Sequence, residues 1–263
     1  MKKQIIITLL FIVSISGFGQ DKNEEKAQMS DQLTMAVLWY QQSAEMRQAY
    51  YQAYNYAKLL VDNKLATIKT KRPSAVVLDI DETVLDNSPY EAMLIDSGWT
   101  YTGRTWKAWT DQERAEALPG ALDFVNYAKK KGIEVFYISN RNVDELESTI
   151  KNLKGKGFPN ADERFIQLKQ ESSDKTDRRE KVANKYEVLV FIGDNLTDYS
   201  EEFGDRDADM GKTLVDEKKM ELLNNFVMLP NPMYGEWEKA IYNNDYSKSD
   251  SVKLELRKSL LIR

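Results

Sequence analysis

Residues 75–88 read AVVLDIDETVLDNS. The run Ala75-Val76-Val77-Leu78 is short, apolar and rich in β-branched residues, which predicts a buried strand over Ala75–Ile80. Two carboxylates, Asp79 and Asp81, stand where that strand ends. Residues i and i+2 of a strand point to the same side, so both acids face one small volume. Like charges at that range repel. A bound cation, a proton kept on one acid, or both must relieve the repulsion.

Outward from this strand, apolar runs and helical patterns alternate. Ile133–Ile138, Phe165–Leu168, Val188–Ile192 and Phe226–Leu229 read as further strands. Pro119–Lys131, Val143–Leu153 and Lys175–Lys185 read as helices between them. The alternation predicts an α/β fold: a doubly wound parallel sheet with helices on both faces. Ligands of such sheets sit at the carboxyl ends of the strands. The segment from Leu85 to Leu118 is aromatic-rich and irregular, with Trp99, Tyr101, Trp106 and Trp109. Before the sheet, Asp31 to Ile68 carries few helix breakers. Leu33, Val37, Tyr40 and Ala44 share one helical face, as do Tyr50, Tyr54, Ala57 and Val61. One long helix or a helical hairpin is expected there, its tyrosines packing the core. Asp21–Lys26 reads as a loose polar leader.

Composition narrows the chemistry. The chain has 263 residues, a net charge of -5, no cysteine and no histidine. Disulfides, thiolate catalysis, serine–histidine triads and histidine-ligated zinc are excluded. The acidic balance gives no electrostatic case for binding a nucleic-acid polymer. Any metal site must be built from oxygen, which favours Mg²⁺, Ca²⁺ or Mn²⁺. At the N-terminus, Lys2 and Lys3 precede an apolar run from Ile5 to Ile15, and small residues follow at Gly17 and Gly19. This pattern predicts a secretory signal peptide over residues 1–19, cleaved near Gly19, and a secreted or periplasmic protein. Without cysteine, a lipid anchor on an N-terminal cysteine is ruled out.

The strand ends converge on one edge. The first carries Asp79, Asp81 and Thr83, and the second carries Ser139-Asn140-Arg141. After the third comes Lys175 at a helix start, and the fourth ends in Gly193-Asp194-Asn195 with Asp198 close behind. Four carboxylates, a hydroxyl and a lysine at one edge suit phosphoryl transfer, which needs a nucleophile and positive charge around the phosphoryl oxygens. Asp79 is the candidate nucleophile and Asp81 the candidate acid and base. Ser139 and Lys175 are placed to hold phosphoryl oxygens. Two decoys fail on spacing. Arg206 stands where a phosphate-binding loop at Gly211-Lys212-Thr213 needs glycine, and Met210 replaces the turn glycine of a calcium loop over Asp205, Asp207 and Asp209.

The ordered motifs DIDET, ISN, DKTDRRE and GDNLTD resemble the haloacid dehalogenase (HAD) superfamily. The spacing of their aspartates, with TWKAW and LPNPMYGEWEKA, resembles the class C acid phosphatases, which include outer-membrane lipoprotein 5'-nucleotidases. The resemblance implies a Rossmann-like HAD core over residues 73–263, with a small helical cap around 86–118 and in the C-terminal region. Residues 20–72 form a helical segment packed on that core. It implies Asp79 and Asp81 as catalytic residues and Asp79, Asp81, Asp194 and Asp198 around Mg²⁺. Ser139, Asn140, Arg141, Lys175, Trp106 and Tyr234 are implied to bind substrate, with the two aromatics shaping its pocket. The expected activity is a phosphomonoesterase acting on nucleoside monophosphates through an aspartyl phosphate. The alternatives are a catalytically inactive binding or storage protein on the same fold, and a sugar phosphatase. Oligomeric state stays open.

Overall fold

The computed structural model describes residues 17–263, so Lys2, Lys3 and the apolar run of the expected signal peptide lie outside the described residues. The first three helices are α1 (Gly17–Asp31), α2 (Thr34–Gln42) and α3 (Ala44–Thr67). Ser43 divides the stretch expected as one long helix or a helical hairpin. Its backbone is extended, and its hydroxyl accepts the Met46 N–H at 3.0 Å, which starts α3 afresh. Asp21–Lys26 is not a loose leader but part of α1. Glu24, Glu25, Lys26, Ala27 and Gln28 include good helix formers, and Met29 anchors the helix in a cluster with Tyr242 and Leu254.

The sheet contains β1 (Ser74–Leu78), β4 (Glu134–Asn142), β5 (Ile166–Lys169), β6 (Glu187–Gly193) and β7 (Phe226–Met228). Its order is β5-β4-β1-β6-β7, and every neighbouring pair is parallel. Helices α6 (Ala121–Lys130), α7 (Leu146–Gly155) and α8 (Thr176–Ala183) connect the strands. Val76 and Leu78 point into the larger core, with Tyr54, Ala57 and Phe124. Ala75 and Val77 point the other way, toward Phe136, Ile138 and Val182. Burial on both faces explains why β1 reads as an unbroken apolar run rather than an alternating one. The chain winds outward through β4 and β5, then returns across β1 to β6. The strand order therefore reverses beside β1, and a crevice opens at the carboxyl ends there.

Strand β4 runs four residues beyond the expected Ile138, because Asn142 still pairs with Lys169. Ser139, Asn140 and Arg141 are polar and gave no apolar signal for that extension. The segment expected to be irregular holds β2 (Leu85–Asp86), α4 (Ser88–Ser97), α5 (Gly103–Thr110) and β3 (Glu116–Ala117). Pro89 lies in the first turn of α4, and Gly98, at φ 61°, ends it. β2 and β3 pair antiparallel and close the segment on itself. Strands of two residues have no period to read. Beyond the last apolar run before β7, α9 (Lys212–Glu217) and α10 (Lys219–Asn225) precede it, and α11 (Glu236–Ile241) and α12 (Asp250–Ser259) follow it. No described helix is long and apolar enough to cross a membrane.

Candidate active site

Past Leu78 the chain turns tightly. The Ile80 carbonyl accepts both Val84 N–H and Leu85 N–H at 2.9 Å, and Glu82 adopts φ 55°. Three tyrosines from the N-terminal helices pin this turn. Tyr50 Oη donates to the Glu82 carbonyl at 2.5 Å and Tyr54 Oη to the Thr83 carbonyl at 2.6 Å. Tyr40 Oη lies 2.5 Å from Tyr50 Oη. These side chains pack the core as the helical stripe implied, but their hydroxyls also fix the loop that carries the acids.

Asp79 is buried, and its Oδ1 accepts from Lys175 Nζ at 2.5 Å. Lys175 also donates to Asp198 Oδ1 at 2.6 Å and to the Ile138 carbonyl at 2.9 Å. Burial alone would lower the Lys175 pKa, but Asp198 and Asp79 outweigh it and push it up, so the ammonium stays charged. Asp194 Oδ2 accepts from Asn195 Nδ2 at 2.9 Å and Asn231 Nδ2 at 2.8 Å. Asp198 Oδ2 accepts the Asn195 N–H at 3.0 Å, folding the acid back over β6. Gly193 makes room for that fold: a Cβ there would lie 2.1 Å from Asp198 Oδ2.

Asp79, Asp194 and Asp198 each offer a carboxylate oxygen, all within 4.8 Å of one another. Burial pushes Asp79 up to about 7 against the pull of Lys175. Burial, then Asp198 and Asp79, push Asp194 well above the carboxylate range. Ionising all three acids against one ammonium would leave two uncompensated negative charges in a buried place. A divalent cation that takes oxygen ligands fits both the charge and the donor set, and Mg²⁺ has that preference.

The Asp81 carboxylate stands apart from this trio. Arg141 grips it through Nε at 3.0 Å and NH2 at 2.7 Å on Oδ1, and Asn87 Nδ2 adds a contact of 2.8 Å. Oδ2 receives Ser139 Oγ at 3.1 Å and Arg141 Nε at 3.2 Å. Arg141 is therefore a buried partner of Asp81, further tied to Thr149 at 3.1 Å and lying over the Trp106 ring. Burial works against its guanidinium, but Asp81 outweighs it and raises the pKa. Ser139, expected to hold substrate, is engaged here by Asp81 and by the Arg141 N–H at 3.1 Å. Asn140 is exposed and accepts from Arg178 at 2.7 Å. Trp106 and Tyr234 line the cavity of about 610 Å³ that also reaches Asp79, Asp81, Lys175 and Asp194.

Four contributors were not singled out from the sequence. Asn87 orients Asp81 while accepting the Trp109 indole N–H at 2.8 Å. Asn231 orients Asp194. Arg178 binds the Ser139 carbonyl at 2.6 Å, and Arg179 binds the Thr197 carbonyl at 2.7 Å. Arg178 ties α8 to β4 and Arg179 ties it to the turn after β6, and both lie in DKTDRRE shortly after the lysine.

Residues 18–237 match the model of a family described as HAD superfamily, subfamily IIIB (Acid phosphatase). The solved structure of the class C acid phosphatase from Bacillus anthracis is 41% identical, with a TM-score of 0.85, covering 90% of this chain and 99% of that one. A tungstate-bound crystal structure of a class C acid phosphatase from Bacillus anthracis gives a TM-score of 0.86 at the same identity and coverage. Among curated proteins, the stem 28 kDa glycoprotein of Glycine max is 27% identical over 154 residues, 56% of this chain and 58% of its own length. The chain spans 50–58% of the length of that protein and a stem 31 kDa glycoprotein from the same plant.

Proposed function

Because the chain belongs to the acid phosphatases of HAD superfamily subfamily IIIB, we propose that it is a secreted Mg²⁺-dependent phosphomonoesterase that prefers nucleoside monophosphates. The observation that carries the reading is the pairing of two unlike acids at one strand end. Asp79 lies among Lys175, Asp194 and Asp198, and Asp81 lies against Arg141.

Lys175 occupies Oδ1 of Asp79, which leaves Oδ2 to attack phosphorus. The bond from Asp79 to phosphorus forms as the ester P–O bond breaks. Asp81 gives a proton to the departing alkoxide, then takes one from the water that attacks the aspartyl phosphate. That second attack breaks the bond to Asp79 and frees inorganic phosphate. Oδ2 of Asp81 is the atom suited to this cycle, since Oδ1 carries the two shortest contacts. Lys175 offsets charge at the nucleophile throughout. Asp79, Asp194 and Asp198 are the residues that would hold Mg²⁺, which when bound screens the carboxylate from the phosphate it approaches.

Nucleotides are favoured by Trp106 and Tyr234 in the same cavity, since stacking a base on an aromatic ring contributes roughly 1–3 kcal/mol. Export is favoured by Lys2, Lys3 and the apolar run after them, and the family match begins only at residue 18. The test is initial rates on nucleoside monophosphates, sugar phosphates and p-nitrophenyl phosphate in acidic buffer. Turnover should vanish with EDTA and return with excess Mg²⁺. Turnover that resists EDTA would remove the metal role, and a preference for sugar phosphates would remove the nucleotide one.

A further inference from the structure

Glu91 lies in the first turn of α4, is 6% exposed, and lines the same cavity as Asp79 and Asp81. Among the described residues, none forms a hydrogen bond or ion pair with its carboxyl, although every acid at the sheet edge is held. The charged group that acts on it, Glu238, is already engaged. Glu238 accepts from Arg257 NH2 at 2.6 Å, Tyr242 Oη at 2.7 Å and Tyr246 Oη at 3.3 Å. Arg257 also donates to Tyr242 at 2.6 Å and to Gln32 at 2.8 Å.

Burying a carboxyl without a partner is costly, and a leucine in that place would remove the cost. The unmet hydrogen-bonding capacity faces a space of about 610 Å³, within the range of roughly 300–1,000 Å³ usual for small-molecule sites. Burial, with Glu238 acting in the same direction, pushes Glu91 up to about 8. The group is therefore a neutral acid under acidic conditions. A neutral carboxylic acid presents an O–H donor and a C=O acceptor side by side. That pair matches the cis-amide or amidine edge of a nucleobase, which sugars and simple aryl esters lack. Leu94, Tyr101 and Trp106 share the cavity lining, and such walls strengthen a hydrogen bond made there.

We propose that Glu91 is a specificity-determining residue that hydrogen-bonds the base edge of a nucleoside monophosphate whose phosphate lies at Asp79. The inference rests on the phosphatase reading above. The experiment compares kcat/KM for adenosine monophosphate, ribose 5-phosphate and p-nitrophenyl phosphate in wild type, Glu91→Gln and Glu91→Leu. The ratio of adenosine monophosphate to ribose 5-phosphate should fall about tenfold in Glu91→Leu, the value of one well-made buried hydrogen bond. The loss should appear in KM. Glu91→Gln, which also offers a donor beside an acceptor, should keep the ratio within about threefold. Glu91→Leu should melt no lower than wild type. An unchanged ratio, or an equal fall on all three esters with a lower melting temperature, would overturn the proposal. A wild type inert toward all three would overturn the phosphatase reading and the inference with it.

Discussion

One cavity has two ends that are built differently. At the sheet edge, Asp81 collects Arg141, Ser139 and Asn87, Asp194 collects Asn195 and Asn231, and Asp79 and Asp198 share Lys175. At the cap end, Trp106 and Tyr234 offer surface, and Glu91 offers a carboxyl that nothing in the described protein engages. Groups that must act on phosphorus are held in place before substrate arrives, which spares reorganisation during reaction. Groups that read the rest of the substrate keep their hydrogen-bonding capacity for it. The contrast predicts that changes at the sheet edge act on turnover, while changes at the cap act on the choice of substrate.

The largest effect that would sharpen this division is Asp79→Asn. The amide keeps the size of the side chain but is a poor nucleophile. Turnover of every ester should fall at least about a thousandfold, as removal of a catalytic nucleophile does elsewhere. Circular dichroism should show the fold intact. Substantial turnover in this variant would break the comparison at its base. The next effect belongs to Gly193→Ala. The added Cβ would sit 2.1 Å from Asp198 Oδ2 and 2.5 Å from its Cγ, so the acid must leave Lys175 and the Asn195 N–H. The Mg²⁺ concentration for half-maximal activity should rise about 10–100-fold, the loss seen when metal-site geometry is disturbed. A Mg²⁺ titration unchanged from wild type would place Asp198 outside the ion site.

The two ends also differed in how much of them could be read before the structure. The sheet edge was legible because strands announce themselves. The apolar runs ending at Leu78, Ile138 and Ile192 located Asp79, Ser139 and Asp194 by position alone, and parallel winding brings such ends together. The structure brings Asp79, Asp194 and Asp198 together, but gives the Asp81 carboxylate to Arg141. Nothing in DIDET distinguishes those two environments, since the charged partners that set them apart, Arg141 and Lys175, come from distant parts of the chain. Asn87 and Asn231 were missed for a similar reason: a lone asparagine in a loop ordinarily signals a turn. The cap was less legible still. Its strands span two residues each, and Glu91 looks like an ordinary acid in the first turn of a helix, where a carboxylate favours the helix dipole.

The smallest of these effects tests whether the N-terminal helices belong to the sheet-edge end or merely cover it. Tyr50→Phe keeps the ring in the core but removes the Oη that donates to the Glu82 carbonyl at 2.5 Å. Tyr40 Oη, at 3.5 Å, is the remaining hydroxyl near that carbonyl. A buried carbonyl that loses its donor costs about 1–3 kcal/mol. For a chain of this size, each kcal/mol lowers the melting temperature by about 2–4 °C. The same carbonyl belongs to the left-handed residue between Asp81 and Thr83, so loosening it shifts the acid relative to phosphorus. A fall in kcat of up to about tenfold, with little change in KM, is therefore expected beside the lower melting temperature, since misplacing a reacting group raises the barrier more than it weakens binding. A lower melting temperature with wild-type kcat would confine Tyr50 to packing. A fall confined to the nucleotide-to-sugar-phosphate ratio would assign the helix to the cap end, and the division between the two ends would fail there.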